Sequence, residues 1–441
     1  MSLLFDLLRL GVLMALLPFA VGWRAPSLAN VRPWLFTALL LGAFLAVAFE
    51  LFLWLRIRER SRARRLPALL TLGLAVFLGA VTLWGEASFR WTRHAVLHAD
   101  PHALEALGKH VIVGYRDPAE LRALVERSAI GGIFLSGRNV AGRSARQIKE
   151  EIEGLQDIRR RLGRPPLWVA VDQEGGLVSR LSPPLTRTKS LADVTAPQRD
   201  ADGLIAAVRD MASTHGRELA AVGVNLNFAP VVDLNHRIIN PNDRYTRIHQ
   251  RAISSDPQRV AEIAGLYCAV LAESGVHCTP KHFPGLGRVF EDTHQERADL
   301  LTAPFELAAT DWVPFRALAQ RPDAFMMLGH ARLAAIDPQR PVSFSHPVVA
   351  GILRGEWRYD GVLVTDDFCM GAVHESRQGI AAASVEALNA GVDLILIAFD
   401  PDQYYPVMRA LLRARSDGSL RPDMLATSDV RLRRAIRASS P

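Results

Sequence analysis

Apolar residues in this chain follow two different rhythms. Over the first hundred positions they run in long blocks: residues 33–55 hold a single charge, Glu50, and residues 66–84 hold none. About 20 consecutive apolar residues in a helix reach across a bilayer core, and soluble helices of that length rarely lack a polar face. Both blocks are expected to span a membrane. Residues 3–23, interrupted by Asp6, Arg9 and Pro18, form a weaker third candidate whose charges sit near one end, within reach of the interface. A cleaved signal peptide is the alternative for this first block, although no small-residue cleavage site follows it. Between the second and third blocks, residues 56–65 carry six arginines and one acid. Such a loop could meet nucleic acid, but wedged between two spans it reads as a topology signal that stays in the cytoplasm. Three spans then place everything after Trp84 outside. The expected organisation is an inner-membrane, multi-pass anchor over residues 1–95 and a large extracytoplasmic (periplasmic) domain over 96–441.

The second rhythm begins near residue 105. Short β-branched runs at 110–115, 132–135, 167–171, 225–228, 276–279, 324–328, 361–365 and 392–398 alternate with longer amphipathic stretches at 118–127, 145–162, 202–222, 257–273, 304–320 and 379–390. Strands apolar on both faces and separated by helices pair in parallel through right-handed crossovers. Eight such units predict a (β/α)8 TIM barrel. A doubly wound sheet is the competitor, but no G-x-G-x-x-G follows the first strand.

Composition adds little to this picture. In 441 residues, 49% are hydrophobic and 22% charged, which excludes collagen-like, disordered and coiled-coil classes. The net charge of +7 comes almost wholly from arginine. Three cysteines (Cys268, Cys278, Cys369) cannot all pair within one chain, and no Cys/His spacing suggests a zinc site. No metal or organic cofactor is expected.

Polar groups abut the ends of most predicted strands: Tyr115–Arg116, Asp172, Asp233, Lys281–His282, His330 and Asp366–Asp367. In a barrel these ends converge on one mouth. Asp366 and Asp367 would point in different directions along an extended backbone, so one of them faces a substrate. A carboxylate there can attack an anomeric carbon. The sequence GVLVTDDFCMGA at 361–372 resembles glycoside hydrolase family 3, whose nucleophile follows Ser or Thr. That resemblance implies Asp366 as nucleophile and leaves Asp367 as a structural acid.

The stretch KHFPGLGRVFEDTH at 281–294 is similar to the K-H-F-P-G-H-G-x(4)-D-[ST]-H loop of that family's β-N-acetylhexosaminidase (NagZ-like) branch. The likeness implies His294 as general acid/base and Asp292 as its partner. A histidine titrates near neutrality, and an adjacent carboxylate fixes its tautomer. Further likenesses are VDQEGGLVSRL at 171–181, NLNFAPVVD at 225–233 and IHQRAISSDP at 248–257. They imply sugar contacts from Asp172, Arg180, Arg251, Lys281 and His282. Leu177, Ala252, Ile253, Leu286 and Arg288 depart from the family pattern close to the pocket.

The implied activity is a membrane-anchored retaining exo-β-N-acetylglucosaminidase acting on cell-wall-type glycans, with a carbohydrate as its partner and no nucleic acid. A peptidoglycan-derived substrate, or phosphate replacing water, would suit a site lacking a second carboxylate. A β-glucosidase or β-xylosidase is the alternative within the family. A catalytically weak membrane-bound sugar-binding protein is the alternative outside enzymes.

Overall fold

The computed structural model describes residues 3–56, 62–196 and 200–438. The chain divides into two compact units, Met1–His98 and Ala99–Pro441.

In the first unit, α1 (Leu3–Gly22) and α2 (Arg32–Arg56) pack along α3 (Arg62–Leu97). A small interior of Ala20, Trp23, Leu39, Ala43 and Leu78 joins them. The charges that interrupt the apolar blocks find each other: Arg9 of α1 pairs with Glu50 of α2, which is buried. Outward-facing positions such as Leu8, Val12, Phe44, Leu45, Leu69 and Phe77 are exposed. Two helical segments, Arg32–Leu55 and Leu66–Leu97, are long and apolar enough to cross a membrane, and Leu7–Gly22 is a shorter apolar helix. Of the arginine-rich loop, residues 57–61 lie outside the described residues, and α3 begins within it at Arg62.

The second unit is built on parallel strands β1 (Val111–Val113), β2 (Gly132–Leu135), β3 (Trp168–Val171), β4 (Leu226–Asn227), β5 (His277–Cys278), β6 (Met326–Leu328), β7 (Leu363–Asp367) and β8 (Leu394–Ile397). Every one lies on or overlaps a predicted run, because most of these runs are apolar on both faces. The sheet order is β5-β4-β3-β2-β1-β8-β7-β6. Bridges Cys278↔Ala324 and Phe283↔Leu328 join its two ends, so the strands follow one another around a closed ring. Inside lie Ile112, Phe134, Trp168, Phe228, Phe325, Met327 and Leu396, and the last helix, Pro422–Ala438, sends Leu432 and Ala435 against them.

Several outer helices open on Asp-Pro. Asp100, Asp117 and Asp256 accept a first-turn N–H while the following proline, needing no amide partner, occupies the first helical position. The helix expected over 304–320 is broken into Pro304–Ala309 and Val313–Leu318. In one continuous helix the Pro314 ring would strike the carbonyl of residue 310, four positions earlier. The break turns Asp311 inward, where Arg288 and His236 bind it.

Cys268, on the helix Pro257–Ala272, forms a disulfide with Cys278 of β5. Closing a loop of this size stabilises by about 2–3 kcal/mol. Cys369 remains a buried thiol, and burial pushes it well above the ordinary thiol range.

Candidate active site

The C-terminal ends of the strands carry the chemistry. Asp366 and Asp367 close β7, and their different surroundings separate them. Asp367 is anchored by main-chain donors: Ala398 N at 2.9 Å, Phe399 N at 2.8 Å and Cys369 N at 3.0 Å. Burial and the neighbouring Asp366 still raise its pKa. Asp366 accepts one such bond, from Asp367 N at 2.8 Å. Burial would raise Asp366 as well, but the surrounding imidazoles of His282, His330 and His294 and the hydrogen bond from the Asp367 amide outweigh it and bring it below the usual carboxylate range. It therefore stands as a carboxylate with three imidazoles around it, the ionisation state a nucleophile needs.

His294 comes from the long loop after β5. Its Nδ1 lies 2.9 Å from Asp292 Oδ1, and its amide donates to the same oxygen at 3.0 Å. That carboxylate also receives the Thr246 hydroxyl at 2.8 Å and the Tyr245 amide at 3.3 Å. Burial alone would raise Asp292, yet the bonds from His294 and Thr246 bring it down to about 2. With Nδ1 engaged, Nε2 is the ring nitrogen left to exchange a proton, and the side chain is 41% exposed. The loop is pinned to the Asp366 segment through the backbone. Gly371 N donates to His294 O at 2.9 Å and Ala372 N to Thr293 O at 3.2 Å. A Cβ on residue 371 would stand 2.2 Å from the Gln295 carbonyl oxygen, so only glycine admits this approach.

A second polar group is packed deeper. Lys281 Nζ lies 2.6 Å from both Asp172 and Glu174. Arg251 holds Glu174 through two bonds of 2.9 and 2.7 Å and donates to Thr246 O at 2.7 Å. Asp172 is the part of this network that reaches the mouth, its side chain being 23% exposed. His282 Nδ1 lies 2.7 Å from Asp233 Oδ2, and Asp233 also receives the Leu286 amide. His330, kept from protonation by burial, donates from Nε2 to Asp367 O at 3.0 Å and accepts from Ser343 through Nδ1. Arg180 is exposed, and only its amide, bonded to Asp172 O, joins the cluster.

The site thus brings together seven of the eight residues named from sequence and leaves the Arg180 side chain at the edge. Sequence reading missed Glu174 and Thr246. Glu174 stood inside a quoted motif, and a second acid two residues beyond Asp172 at a strand end was the available signal. Thr246 lies in a loop with no pattern to mark it. Among the described residues no three His, Cys, Asp or Glu side chains are placed to share a metal ion.

The departures are absorbed locally. Leu286 is buried against Ile248, Ala252, Ala298 and Ala331, and Arg288 binds Asp311 and Glu306. Leu177 is exposed.

Residues 103–435 match the glycosyl hydrolase family 3 N-terminal domain. The chain belongs to glycosyl hydrolase family 3. A β-hexosaminidase of Alkalilimnicola ehrlichii is 35% identical to this family 3 chain over 320 residues, 72% of this chain and 85% of that protein. A β-hexosaminidase of Pseudomonas aeruginosa is 34% identical over 298 residues, 67% and 83% of the two. Among solved structures, the family 3 β-N-acetylglucosaminidase of Paenibacillus sp. FPU-7 superimposes with a TM-score of 0.68 at 30% identity. That match covers 77% of this chain and 64% of the other. LpqI of Mycobacterium tuberculosis gives 0.65 at 29% identity, covering 76% and 95%. This family 3 protein is a glycoside hydrolase.

Proposed function

We propose that this glycoside hydrolase is a retaining, exo-acting β-N-acetylglucosaminidase, built as a (β/α)8 barrel and tethered to the inner membrane by three spans with its catalytic unit outside the cytoplasm. The observation that carries the reaction is the His294–Asp292 pair, 2.9 Å apart, hydrogen-bonded through the main chain to the segment that follows Asp366. Asp366 attacks C1 as His294 Nε2 gives its proton to the departing oxygen, so the C1–Oδ bond forms while the glycosidic bond breaks. His294 then takes a proton from water, which attacks C1 and releases Asp366 as carboxylate. Asp172, held directly by Lys281, which Glu174 and Arg251 back in turn, receives hydroxyls of the terminal sugar. His282 and Arg180 complete the set. The relatives carry the names β-hexosaminidase and β-N-acetylglucosaminidase, and terminal N-acetylglucosamine of a cell-wall-type glycan is the substrate class these names support.

Three features support the tether. Apolar side chains cover the outside of the first unit. The exposed Trp34 and Trp54 of α2 stand 20 residues apart, about 30 Å along a helix, which matches a bilayer core flanked by interfacial aromatics. The Cys268–Cys278 disulfide suits an oxidising compartment.

Incubation with a fluorinated N-acetylglucosaminyl donor, followed by peptide mapping, tests the mechanism. The adduct is expected on Asp366; labelling at any other residue overturns the assignment. Turnover of nitrophenyl glucoside in place of nitrophenyl N-acetylglucosaminide would overturn the substrate class.

A further inference from the structure

Apolar side chains that stand in solvent are unevenly spread over the second unit. Among its described residues eleven large ones are exposed. Six of these, Ile238, Ile239, Tyr245, Phe290, Leu301 and Phe305, lie on the loops that follow β4 and β5 or on the first turn of the helix after them. Exposed apolar residues scattered singly are ordinary, whereas a concentration of this kind marks a contact face. The two loops are linked into one piece of the rim. Asn240 Nδ2 donates to Phe290 O at 2.9 Å, and Ile239 and Phe290 line the same small pocket. Arg288 holds Glu306, beside Phe305, at 2.8 Å, and Glu291 accepts the amide of Asp299, two residues before Leu301, at 3.3 Å. Both loops leave C-terminal strand ends, so the face belongs to the mouth end of the ring. Tyr245 carries it as far as the acid/base, its ring centroid lying 5.8 Å from that of His294.

The charge around this face is not balanced. Arg237, Arg244 and Arg247 are exposed and have no ion pair among the described residues. The acid between them, Asp243, is turned onto the main chain, where it accepts from the amides of Thr246 at 2.9 Å and Arg247 at 2.7 Å. Asn240 Oδ1 accepts the Asn242 amide at 2.8 Å, so the loop tip that presents Ile238 and Ile239 has a fixed shape. Aliphatic and aromatic side chains ringed by unpaired guanidiniums match a lipid interface, whose acyl region takes the apolar groups and whose phosphate oxygens take the arginines. A sugar asks instead for acceptors aimed at its hydroxyls, and isoleucine, phenylalanine and arginine side chains supply none.

We propose that this rim is a bilayer-docking face: Ile238, Ile239 and Phe290 enter the apolar edge of the lipid interface, Arg237, Arg244 and Arg247 bind anionic headgroups, and the mouth is thereby turned towards the membrane surface. The inference rests on the tether proposed above, which brings a bilayer to the catalytic unit, and adds a second contact with that bilayer.

The full-length protein carrying Ile238→Cys is labelled with a thiol-reactive fluorophore and reconstituted into phosphatidylcholine vesicles with or without phosphatidylglycerol, some lipids bearing a nitroxide on the acyl chain. Cys268 and Cys278 are paired and Cys369 is buried, so the introduced thiol is the one that reacts. The nitroxide is expected to quench the label strongly in vesicles containing phosphatidylglycerol and less in phosphatidylcholine alone. A label at Asp417→Cys, in the turn ending the helix Tyr404–Ser416 at the opposite end of the ring, should keep its emission. Adding Arg237→Glu/Arg244→Glu should weaken the quenching about 5-fold or more, and Phe290→Asp should weaken it with either lipid. Turnover of nitrophenyl N-acetylglucosaminide in detergent is expected to survive these substitutions, which shows that they leave the fold intact. An unquenched label at residue 238 in vesicles that carry the protein, or equal quenching at 417, overturns the docking face. Shielding of the label from iodide that grows with protein concentration, without quenching by lipid, would assign the face to a second copy and overturn it equally. Failure of the protein to float with the vesicles at all would strike the tether, and the docking with it.

Discussion

Two polar clusters meet at this site, and they are built for different work. Glu174, Arg251 and Lys281 are each under 10% exposed. Burial would raise Glu174, but the charges of Arg251 and Lys281 hold it well below the usual carboxylate range. Burial would likewise lower Lys281 and Arg251, and the acids around them keep both above their ordinary values. Every member is locked in its charged form. His294 has one carboxylate partner and an open ring edge. A side chain that takes and returns a proton each cycle cannot be compensated from several directions, and a side chain that holds a sugar in register gains from being so compensated. Thr246 couples the two: its carbonyl accepts from Arg251 and its hydroxyl donates to Asp292.

The contrast can be broken most severely at His294. His294→Ala should lower kcat by about 10²- to 10⁴-fold on a glycan substrate, and less on a nitrophenyl leaving group that needs little protonation. Equal losses on both substrates would deny it the acid role. Glu174→Ala should act on folding, since it leaves Arg251 and Lys281 short of a counter-charge in the interior. A loss of about 3–5 kcal/mol is expected in denaturant unfolding, and an unchanged midpoint would mean the network is not a structural unit.

A smaller effect concerns pH. Asp292 sits at about 2 in the folded chain, below the ordinary 3.8. Its contribution is therefore complete above pH 4 and is lost as pH falls from 4 towards 2. Partial solvent screening limits it to about 1–2 kcal/mol. Asp292→Asn should flatten the stability profile in that window; an identical slope would show that its bonds to His294 and Thr246 carry no net stability. The smallest change tests the link between the clusters. Thr246→Val keeps the carbonyl for Arg251 and removes the hydroxyl from Asp292, so kcat/KM should fall by about 5–10-fold with the melting temperature nearly unmoved.

Strand positions were legible because burial on both faces writes a continuous apolar run, and the families of loops at strand ends could be read from short motifs. Asp366, Asp292 and His294 were named as candidates that way, by likeness to a known pattern and by the chemistry of adjacent acids and imidazoles. What sequence does not carry is the meeting of distant loops. Thr246 reaches Asp292 across 46 positions. Cys268 and Cys278 sit on a helix and a strand whose distance depends on the fold being complete, so an odd cysteine count said only that one would be left over. The helix over 304–320 was overextended because its apolar spacing ran on through Pro314, whose ring, rather than its hydrophobicity, decides the break.

The closeness of Gly371 to the loop bearing His294 makes a hydrogen atom the spacer that gauges the active centre. One added methyl would wedge the acid away from its carboxylate partner in attack without touching either. A lineage altering this position would have to re-space both arms of the reaction at once, and such paired changes are rarely reached one step at a time.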